Sequence, residues 1–279
     1  MSGKLYVVGT PIGNLGDFSP RALETLQSVD VIACEDTRVT LKLMNRFEIK
    51  KPQVSYYEHN AREKGMFIVE ELLAGKNYAV VTDAGMPCIS DPGEDLVRLC
   101  AEHGIPVEVV PGPSAVISAL AVSGLVTSRF SFEGFLSTTK KSRFEHLNSL
   151  KSYPNTMIFY EAPHKLCATL KDMLDVFGDR KISLARELTK IHEEVVRTTL
   201  SEAVARYEQT PPKGEFVLVI EGAPPKAQEE YTLEDGLAMV AKLQEQGMSA
   251  RDAVKEAAGV CNLSRKALYD RVMKEKNKN

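Results

Sequence analysis

The chain has 279 residues, 43% of them hydrophobic and 26% charged, which is typical of a globular protein with room for two domains. Its formal net charge of −3 excludes a globally basic nucleic-acid binder, and the scattered Cys and His residues show neither disulfide nor metal-ligand spacing, so no metal is expected. No apolar run approaches the roughly 20 residues of a membrane span and no signal peptide is recognised, so we expect a cytoplasmic protein that does not bind membranes.

The N-terminal part alternates short apolar strands with amphipathic helices, which predicts a mostly parallel α/β sheet. Strands are predicted at 4–8, 29–34, 54–56, 78–82 and 107–110, and helices at 20–27, 38–47, 61–73 and 93–103. The first helix starts at Pro20 behind Ser19, a good N-cap residue. A Pro-Gly-Pro turn at 111–113 ends a first domain assigned to residues 1–112.

A second domain, assigned to residues 113–224, carries more strand signal and predicts a mixed α+β sheet. Its strands are predicted at 130–136, 156–160, 181–187, 194–200 and 215–221, with helices near 142–150, 163–177 and 201–207. A linker at 222–226 leads to a helical tail, assigned to residues 230–279, in which Gly247 and the 259–262 segment separate three short helices. The last two resemble a helix-turn-helix, with a plain helical cap as the alternative.

Two loops that follow apolar strands are rich in Gly and Pro. They are Gly9–Asp17 after the first strand and Thr82–Gly93 after the fourth. Such loops at the carboxyl ends of strands are where open α/β sheets bind ligands. Neither loop has the G-x-G-x-x-G or Walker spacing, so nucleotide binding by the usual fingerprints is disfavoured.

Six segments around predicted strand ends carry motifs: Gly9–Leu15, Cys34–Arg38, Asp83–Gly93, Val110–Ala115, Phe159–His164 and Arg186–Lys190. Together they resemble the tetrapyrrole-methylase superfamily over residues 4 to about 222, and the second and sixth point to its ribosomal RNA small-subunit methyltransferase I branch. The resemblance implies a two-domain fold, a homodimer and S-adenosylmethionine as methyl donor without a metal. It also implies 2′-O-methylation of a cytidine in the decoding region of 16S rRNA, in the small ribosomal subunit.

In relatives of this fold the donor lies between the domains, so we assign donor binding to loops from both. Bent loops expose amides that match the edges of adenine, and carboxylates match ribose hydroxyls and an ammonium. A predicted helix N-terminus after the Pro-Gly-Pro turn can hold a carboxylate. The assigned residues are Pro11, Ile12, Asp83, Gly85, Met86, Ile89, Ser114, Ala115 and Ala162.

Methyl transfer to a hydroxyl needs alignment of the reacting atoms and removal of the hydroxyl proton. The candidate bases are Lys190, Glu187 and Asp36. Lys190 is favoured because desolvation near a positive sulfonium would depress its pKa and leave it neutral. For Asp36 the alternative is a helix N-cap.

Contacts with RNA are assigned to local basic residues, because phosphate binding needs Lys and Arg. The tail from 262 to 279 holds six Lys or Arg against two acids, although a solvated helix face is an equal alternative. Tyr56 and Tyr57, followed by His59, could stack on a splayed base. The residues assigned to RNA are Arg38, Arg186, Lys140, Lys141, Arg265 and Lys266.

Two other functions stay open on the sequence. One is a methylase of the same fold that acts on a small or macrocyclic molecule. The other is a non-catalytic RNA-binding assembly factor, which the two ligand loops argue against. The apolar tail helices are expected to need a surface to cover, which favours the homodimer.

Overall fold

The structure, a computed structural model, describes residues 2–57, 59–91, 93–225 and 231–276. The chain divides into compact units of residues 1–223 and 224–279. The first unit begins with β1 (Leu5–Val8), α1 (Pro20–Ser28), β2 (Val31–Cys34), α2 (Thr37–Arg46), β3 (Gln53–Ser55), α3 (Ala61–Leu73), β4 (Tyr78–Val81), α4 (Glu94–Glu102) and β5 (Val107–Val110). These strands form a parallel sheet in the order β3-β2-β4-β1-β5.

Helices cover both faces of this parallel sheet, as strands that are apolar on both sides require. Leu26 of α1 and Met44 of α2 pack on one face, whereas Ile68 of α3 and Leu96 of α4 pack on the other. Strands β1 and β4 are neighbours, yet the helices that follow them lie on opposite faces. A crevice therefore opens at the carboxyl ends of β1 and β4, the position at which open α/β sheets bind ligands.

The second half of this unit forms a mixed sheet. Its elements are α5 (Ala115–Ser123), β6 (Phe130–Phe135), α6 (Lys140–Ser149), β7 (Thr156–Glu161), α7 (Pro163–Phe177), β8 (Lys181–Arg186), β9 (Glu194–Thr199), α8 (Leu200–Gln209) and β10 (Phe216–Ile220). The order is β6-β7-β10-β8-β9, in which only the β6–β7 pair is parallel. Helix α5 packs on one face, through Val116 and Leu120, and α6, α7 and α8 pack on the other.

The predicted α/β fold with a parallel and a mixed sheet is confirmed, and each predicted strand ends within two residues of its observed limits. For α5 only the first residues were expected. Helix α6 begins at Lys140, two residues earlier than predicted. The boundary predicted at residue 112 lies in the turn between β5 and α5.

The tail unit contains α9 (Leu233–Glu245), α10 (Ala250–Val260) and α11 (Arg265–Lys276). These helices bury Val240, Val254 and Leu268 against one another, so the tail has a core of its own. This core covers part of the apolar tail surface expected from the sequence, and Met248 and Val260 stay exposed. Residues 226–230 of the linker region and 277–279 lie outside the described residues. Within the described parts of the chain, no helix is both long and apolar enough to cross a bilayer.

Candidate active site

The loops after β1, β4 and β5 are joined at the crevice. Thr10 and Gly85 exchange two backbone hydrogen bonds, with N···O distances of 2.9 and 3.2 Å. Gly85 has φ +91, which favours glycine, and a Cβ added at Gly9 would lie 2.7 Å from the Cα of Gly112. Close backbone contact therefore explains why these loops are built from small residues.

A cavity of about 540 Å³ lies between the two sheets. This volume is within the range of pockets that hold cofactor-sized molecules. Loops of the parallel-sheet half contribute Ile12, Glu35, Thr82, Asp83, Ala84, Ser90 and Asp91. The mixed-sheet half contributes Ala115, Phe135, Tyr160, Glu161, Ala162, Pro163, Ala185, Glu187, Leu188, Lys190, Glu215, Phe216 and Val217. The cavity thus joins apolar surface to carboxylates from both halves of the unit.

Three carboxylates on the parallel-sheet side form what we call the acidic rim: Glu35, Asp83 and Asp91. Glu35 accepts a hydrogen bond from the Thr82 hydroxyl at 3.1 Å. Burial, the nearby Glu35 charge and Asp83 raise the pKa of Asp91 to about 6, although the Thr82 hydroxyl opposes the shift. Burial and Glu35 also raise the pKa of Asp83. The rim therefore holds more negative charge than its surroundings neutralise.

On the opposite side, Lys190 lies between Glu187 and Glu215, and we call these three residues the paired rim. The Lys190 ammonium donates to Glu187 Oε1 at 3.0 Å and to Glu215 Oε2 at 2.9 Å. Burial lowers the pKa of Lys190, but the hydrogen bonds to Glu215 and Glu187 outweigh it and raise the pKa overall. In this arrangement the pKa of Lys190 is therefore raised, and its depression beside a bound sulfonium stays a prediction. A backbone hydrogen bond from Glu215 in turn lowers the pKa of Glu187.

Asp36 acts as the N-cap of α2, accepting from the Arg38 backbone N at 2.8 Å. Its carboxylate also pairs with the Arg38 guanidinium at 2.6 Å. The Arg38 side chain and then its backbone amide lower the pKa of Asp36 to about 2. A carboxylate with so low a pKa is a poor base, and neither residue lines the cavity. The structure thus favours the N-cap alternative for Asp36. The Arg38 side chain is 87% exposed, and its guanidinium forms an ion pair with Asp36.

Of the nine residues assigned to the donor, Ile12, Asp83, Ala115 and Ala162 line the cavity. The other five lie beside it and shape the loops. Gly85 forms the bridge to Thr10, Met86 accepts from the Gly112 amide at 3.2 Å through its sulfur, and Ser114 caps α5. Pro11 and Ile89 also fall outside the lining, and Ile89 is half exposed.

The residues assigned to RNA are dispersed. Arg186 pairs with Glu194 at 3.2 Å and does not line the cavity. On α6, the Lys140 ammonium lies 5.4 Å from the centre of the Phe144 ring, and Lys141 lies 4.0 Å from a Glu145 carboxylate oxygen. The last two, Arg265 and Lys266, are exposed at the start of α11.

Among the cavity residues that were not assigned a role from the sequence are three carboxylates, Glu35, Asp91 and Glu215, whereas Tyr160 was expected only to offer backbone to adenine. Glu35 and Asp91 lie inside motifs that had been identified, so their strand-end positions were the available signal. Tyr160 packs against Phe135 with ring centres 5.3 Å apart, which forms an aromatic wall. For Glu215 the signal was weak, since it only precedes an apolar strand.

Family models match most of the chain. Residues 4–204 match the tetrapyrrole (corrin/porphyrin) methylases, and residues 232–276 match the RsmI C-terminal HTH domain. The chain is 48% identical over 268 residues to ribosomal RNA small subunit methyltransferase I of Synechocystis sp., which covers 96% of both chains. It is 50% identical over 220 residues to the protein of that name from Thermotoga maritima, covering 79% of this chain and 99% of that relative.

Solved structures share the fold. Uroporphyrin-III C-methyltransferase from Thermus thermophilus complexed with S-adenyl homocysteine matches with a TM-score of 0.55 at 20% identity, over 78% of this chain and 97% of that one. Diphthine synthase matches with a TM-score of 0.59 at 14% identity, over 79% and 90%. The family model for tetrapyrrole methylases covers most of the chain, and the two relatives named above are 48% and 50% identical to it. The chain therefore belongs to the tetrapyrrole methylase family and, within it, to the ribosomal RNA small subunit methyltransferase I group.

Proposed function

We propose that this protein transfers a methyl group from S-adenosylmethionine to ribosomal RNA of the small subunit. Its acceptor is the 2′-hydroxyl of a cytidine in the decoding region of 16S rRNA. Relatives that match 96% of the chain at 42–48% identity carry the name ribosomal RNA small subunit methyltransferase I. The observation in this molecule that carries the proposal is the cavity between the two sheets, because its lining suits a cationic, partly apolar donor.

The cavity matches the chemistry of S-adenosylmethionine on two counts. Its apolar lining, including Ile12, Ala115 and Ala162, suits the adenine ring. The donor also carries a sulfonium and an ammonium, and both rims offer negative charge to them. Burial and Glu35 act on Asp83 more strongly than any cation does, and the paired rim combines one ammonium with two carboxylates, for a net charge of −1. A cationic wall would have repelled this donor.

None of the three candidate bases has a pKa near neutrality in this arrangement. Lys190 has a raised pKa and stays protonated, Glu187 has a lowered pKa, and that of Asp36 is about 2. An efficient general base has a pKa close to the working pH. Lys190 therefore serves the reaction as a fixed cation that holds Glu187 and Glu215 in place, and proton removal falls to another group.

We expect the exposed Arg265 and Lys266 of the tail to add RNA affinity. We also expect Lys140 and Lys141, on α6 of the first unit, to bind phosphate groups of the RNA. The residues that line the cavity all lie between 12 and 217, so we treat the tail as an aid to binding and not as part of the chemistry. A homodimer and a cytoplasmic location remain predictions from the resemblance, and a sedimentation mass of 30.8 kDa at micromolar concentration would contradict the dimer.

The direct test uses small ribosomal subunits that lack the modification. The protein is incubated with them and with S-adenosylmethionine labelled in the methyl group, and the methylated nucleotide is mapped by mass spectrometry. We expect one labelled cytidine with the methyl on the ribose. Labelling of a base, or no transfer despite donor binding by calorimetry, would refute the proposal. Transfer to uroporphyrinogen in place of RNA would favour the small-molecule alternative.

A further inference from the structure

A second cleft of about 550 Å³ adjoins the cavity between the sheets. It is lined by Glu35, Tyr56, Tyr57, His59, Ala61, Ser90, Asp91, Gly93, Glu94 and Asp95. Three of these residues, Glu35, Ser90 and Asp91, line both spaces. The two spaces therefore meet at the acidic rim, where a group held in one can reach a group held in the other.

The aromatic side of the second cleft comes from the segment after β3. Tyr57 is 41% exposed and meets the His59 ring edge-on, with centres 6.2 Å apart. The Tyr57 backbone amide donates to Asn60 Oδ1 at 2.8 Å, and the Asn60 side-chain amide donates to the Ser55 carbonyl at 3.1 Å, which ties Tyr57 to the end of β3 through Asn60. Tyr56 is only 1% exposed and belongs to the core, so its expected role in stacking is wrong. Tyr57 remains as a stacking surface for a planar ring, with His59 perpendicular to it.

The opposite side of the cleft is acidic. Glu94 and Asp95 begin α4 and are exposed, and Asp95 pairs with Arg98 one turn along the helix. With Glu35 and Asp91 included, four carboxylates face a space whose lining, among the residues that the structure describes, contains no Lys or Arg. Phosphate is excluded from such a place by charge. A base with an exocyclic amino group is favoured, because carboxylates accept hydrogen bonds from the cytosine N4 amine.

We propose that the second cleft holds the target nucleoside, rotated out of the RNA strand, and that Asp91 at its junction with the donor cavity takes the proton of the ribose 2′-hydroxyl. In this arrangement the base stacks on Tyr57, with the perpendicular His59 ring beside it, and Glu94 accepts from its amino group. The inference rests on the proposed function, because it assigns the acceptor side of the same reaction.

The step balances without a further reactant. The ribose oxygen forms a bond to the methyl carbon while its proton moves to the Asp91 carboxylate. The carbon–sulfur bond breaks, and its electron pair stays on sulfur as S-adenosylhomocysteine. A cationic sulfonium and an anionic carboxylate thus become two neutral groups, after which the Asp91 proton leaves to water.

The surroundings of Asp91 suit this role. Its pKa of about 6 leaves the carboxylate ionised at neutral pH yet more basic than an ordinary aspartate. Lys190, which had been favoured as the base, is held protonated by two carboxylates. Besides burial, the pKa of Asp91 responds to Glu35 after β2 and to Thr82 and Asp83 after β4. The Asp91 charge in turn raises the pKa of Cys88 in its own loop and of Tyr160 of β7, and Glu94 lines the same cleft.

The first test compares Asp91→Asn with Glu102→Gln, a control at the exposed end of α4. Single-turnover methylation of unmodified small subunits is measured against pH, with donor affinity by calorimetry. We expect Asp91→Asn to slow methyl transfer at least about 10²-fold, the usual scale for a general base, and to remove the rise in rate through pH 6. Donor affinity and subunit affinity should change less than about threefold, since a base acts in the transition state.

A second test addresses recognition of the base at exposed positions where folding is not at stake. Glu94→Gln and Tyr57→Leu should each raise the KM for subunits about tenfold, with kcat changed far less. Subunits carrying uridine at the methylated position should react about tenfold more slowly with the wild-type protein, because uracil presents an acceptor to Glu94. Glu94→Gln should remove most of that discrimination.

Several outcomes would overturn the inference. They are a near-normal rate for Asp91→Asn, a loss of donor affinity equal to its loss of rate, or equal behaviour of Glu94→Gln and Glu102→Gln. The wild-type protein separates the two proposals. If it fails to methylate unmodified subunits, the proposed function is wrong. If it methylates them and the variants do not respond, only the nucleoside cleft and the role of Asp91 are wrong.

Discussion

The two rims of the cavity contain similar residues but have opposite electrostatic states. In the acidic rim, burial and the neighbouring Glu35 charge raise the pKa of both Asp83 and Asp91. In the paired rim, one ammonium bridges Glu187 and Glu215 and its pKa is raised by them. The Glu215 backbone amide, and then Lys190, lower the pKa of Glu187. Asp91 in the acidic rim thus has a pKa near neutral pH, whereas Glu187 and Glu215 in the paired rim belong to an ion network with Lys190.

This difference separates the capacity to move a proton from the capacity to hold a position. A group with a pKa near the working pH can exchange a proton, whereas a charged network resists titration and fixes its members. We therefore expect the parallel sheet to provide the proton transfer and the mixed sheet to provide support. Variants that affect only one side test this division.

The largest effect is expected at the loops that carry the acidic rim. Gly85→Val forces a β-branched residue to φ +91 and brings its Cβ to 3.3 Å from Ile12. The bridge to Thr10 would shift, so we expect donor binding to be abolished in calorimetry while circular dichroism still reports a folded protein.

Backbone strain alone requires a matched control. Gly104→Val imposes a similar strain at φ +66, but no atom lies within 4 Å of its added Cβ. It should lose stability and keep the donor affinity of the wild-type protein. Equal donor affinities for both variants would show that the loop geometry after β4 does not shape the donor site.

The next effect concerns the paired rim. Lys190→Met leaves Glu187 and Glu215 without their shared cation, so they repel each other and the segments after β8 and before β10 that carry them shift apart. We expect turnover to fall by about 10²-fold, and the pH dependence of the remaining activity to keep its shape. Rate measurements from about pH 5 to pH 9, on either side of neutrality, make the comparison with Asp91→Asn.

Lys181→Met is the control for that variant, since Lys181 forms an exposed ion pair with Glu221 at the other end of β8. Exposed pairs contribute little, so its rate should be unchanged. A wild-type rate that keeps rising well above neutral pH, with no such rise in Lys190→Met, would restore lysine as the base.

Much of this architecture was predictable from the sequence, because strand and helix periods are local. The apolar runs before Gly9 and Thr82 indicated the strands, and the Gly and Pro residues after them located the ligand loops. The partner of Lys190 was not predictable in the same way. Glu215 is 25 residues away in sequence, and only the pairing of β8 with β10 brings the two together. The state of Asp91 likewise depends on burial beside Glu35, which no spacing rule contains.

The tail offers a smaller effect, outside both rims. Replacing Arg265 and Lys266 together by Gln removes two exposed charges at the start of α11. Each phosphate that is no longer neutralised reduces the slope of log K against log salt by about 0.7–0.9, so we expect a slope about 1.5 lower and a roughly tenfold weaker binding of subunits at low salt. Lys255→Gln on α10 is the control, and filter binding across salt concentrations is the measurement. An equal salt slope for the double variant would remove α11 from the RNA-binding surface.

The smallest effect is thermodynamic and has opposite signs at the two rims. Folding raises the pKa of Asp91 to about 6, so the folded protein holds this proton more tightly than the unfolded chain. The resulting stability is present below about pH 4, the ordinary aspartate value, and is lost as the pH rises through 6. Asp91→Asn should therefore raise the free energy of unfolding at about pH 8 by about 1 kcal/mol, a value reduced for solvent screening, and leave it unchanged near pH 4.

Lys190→Met should lower the free energy of unfolding at the higher pH. The raised pKa of Lys190 means that its ammonium stabilises the fold at every pH at which the lysine is protonated. Urea unfolding of both variants at the two pH values is the measurement, and destabilisation by Asp91→Asn at the higher pH would mean that the acidic rim is neutralised after all.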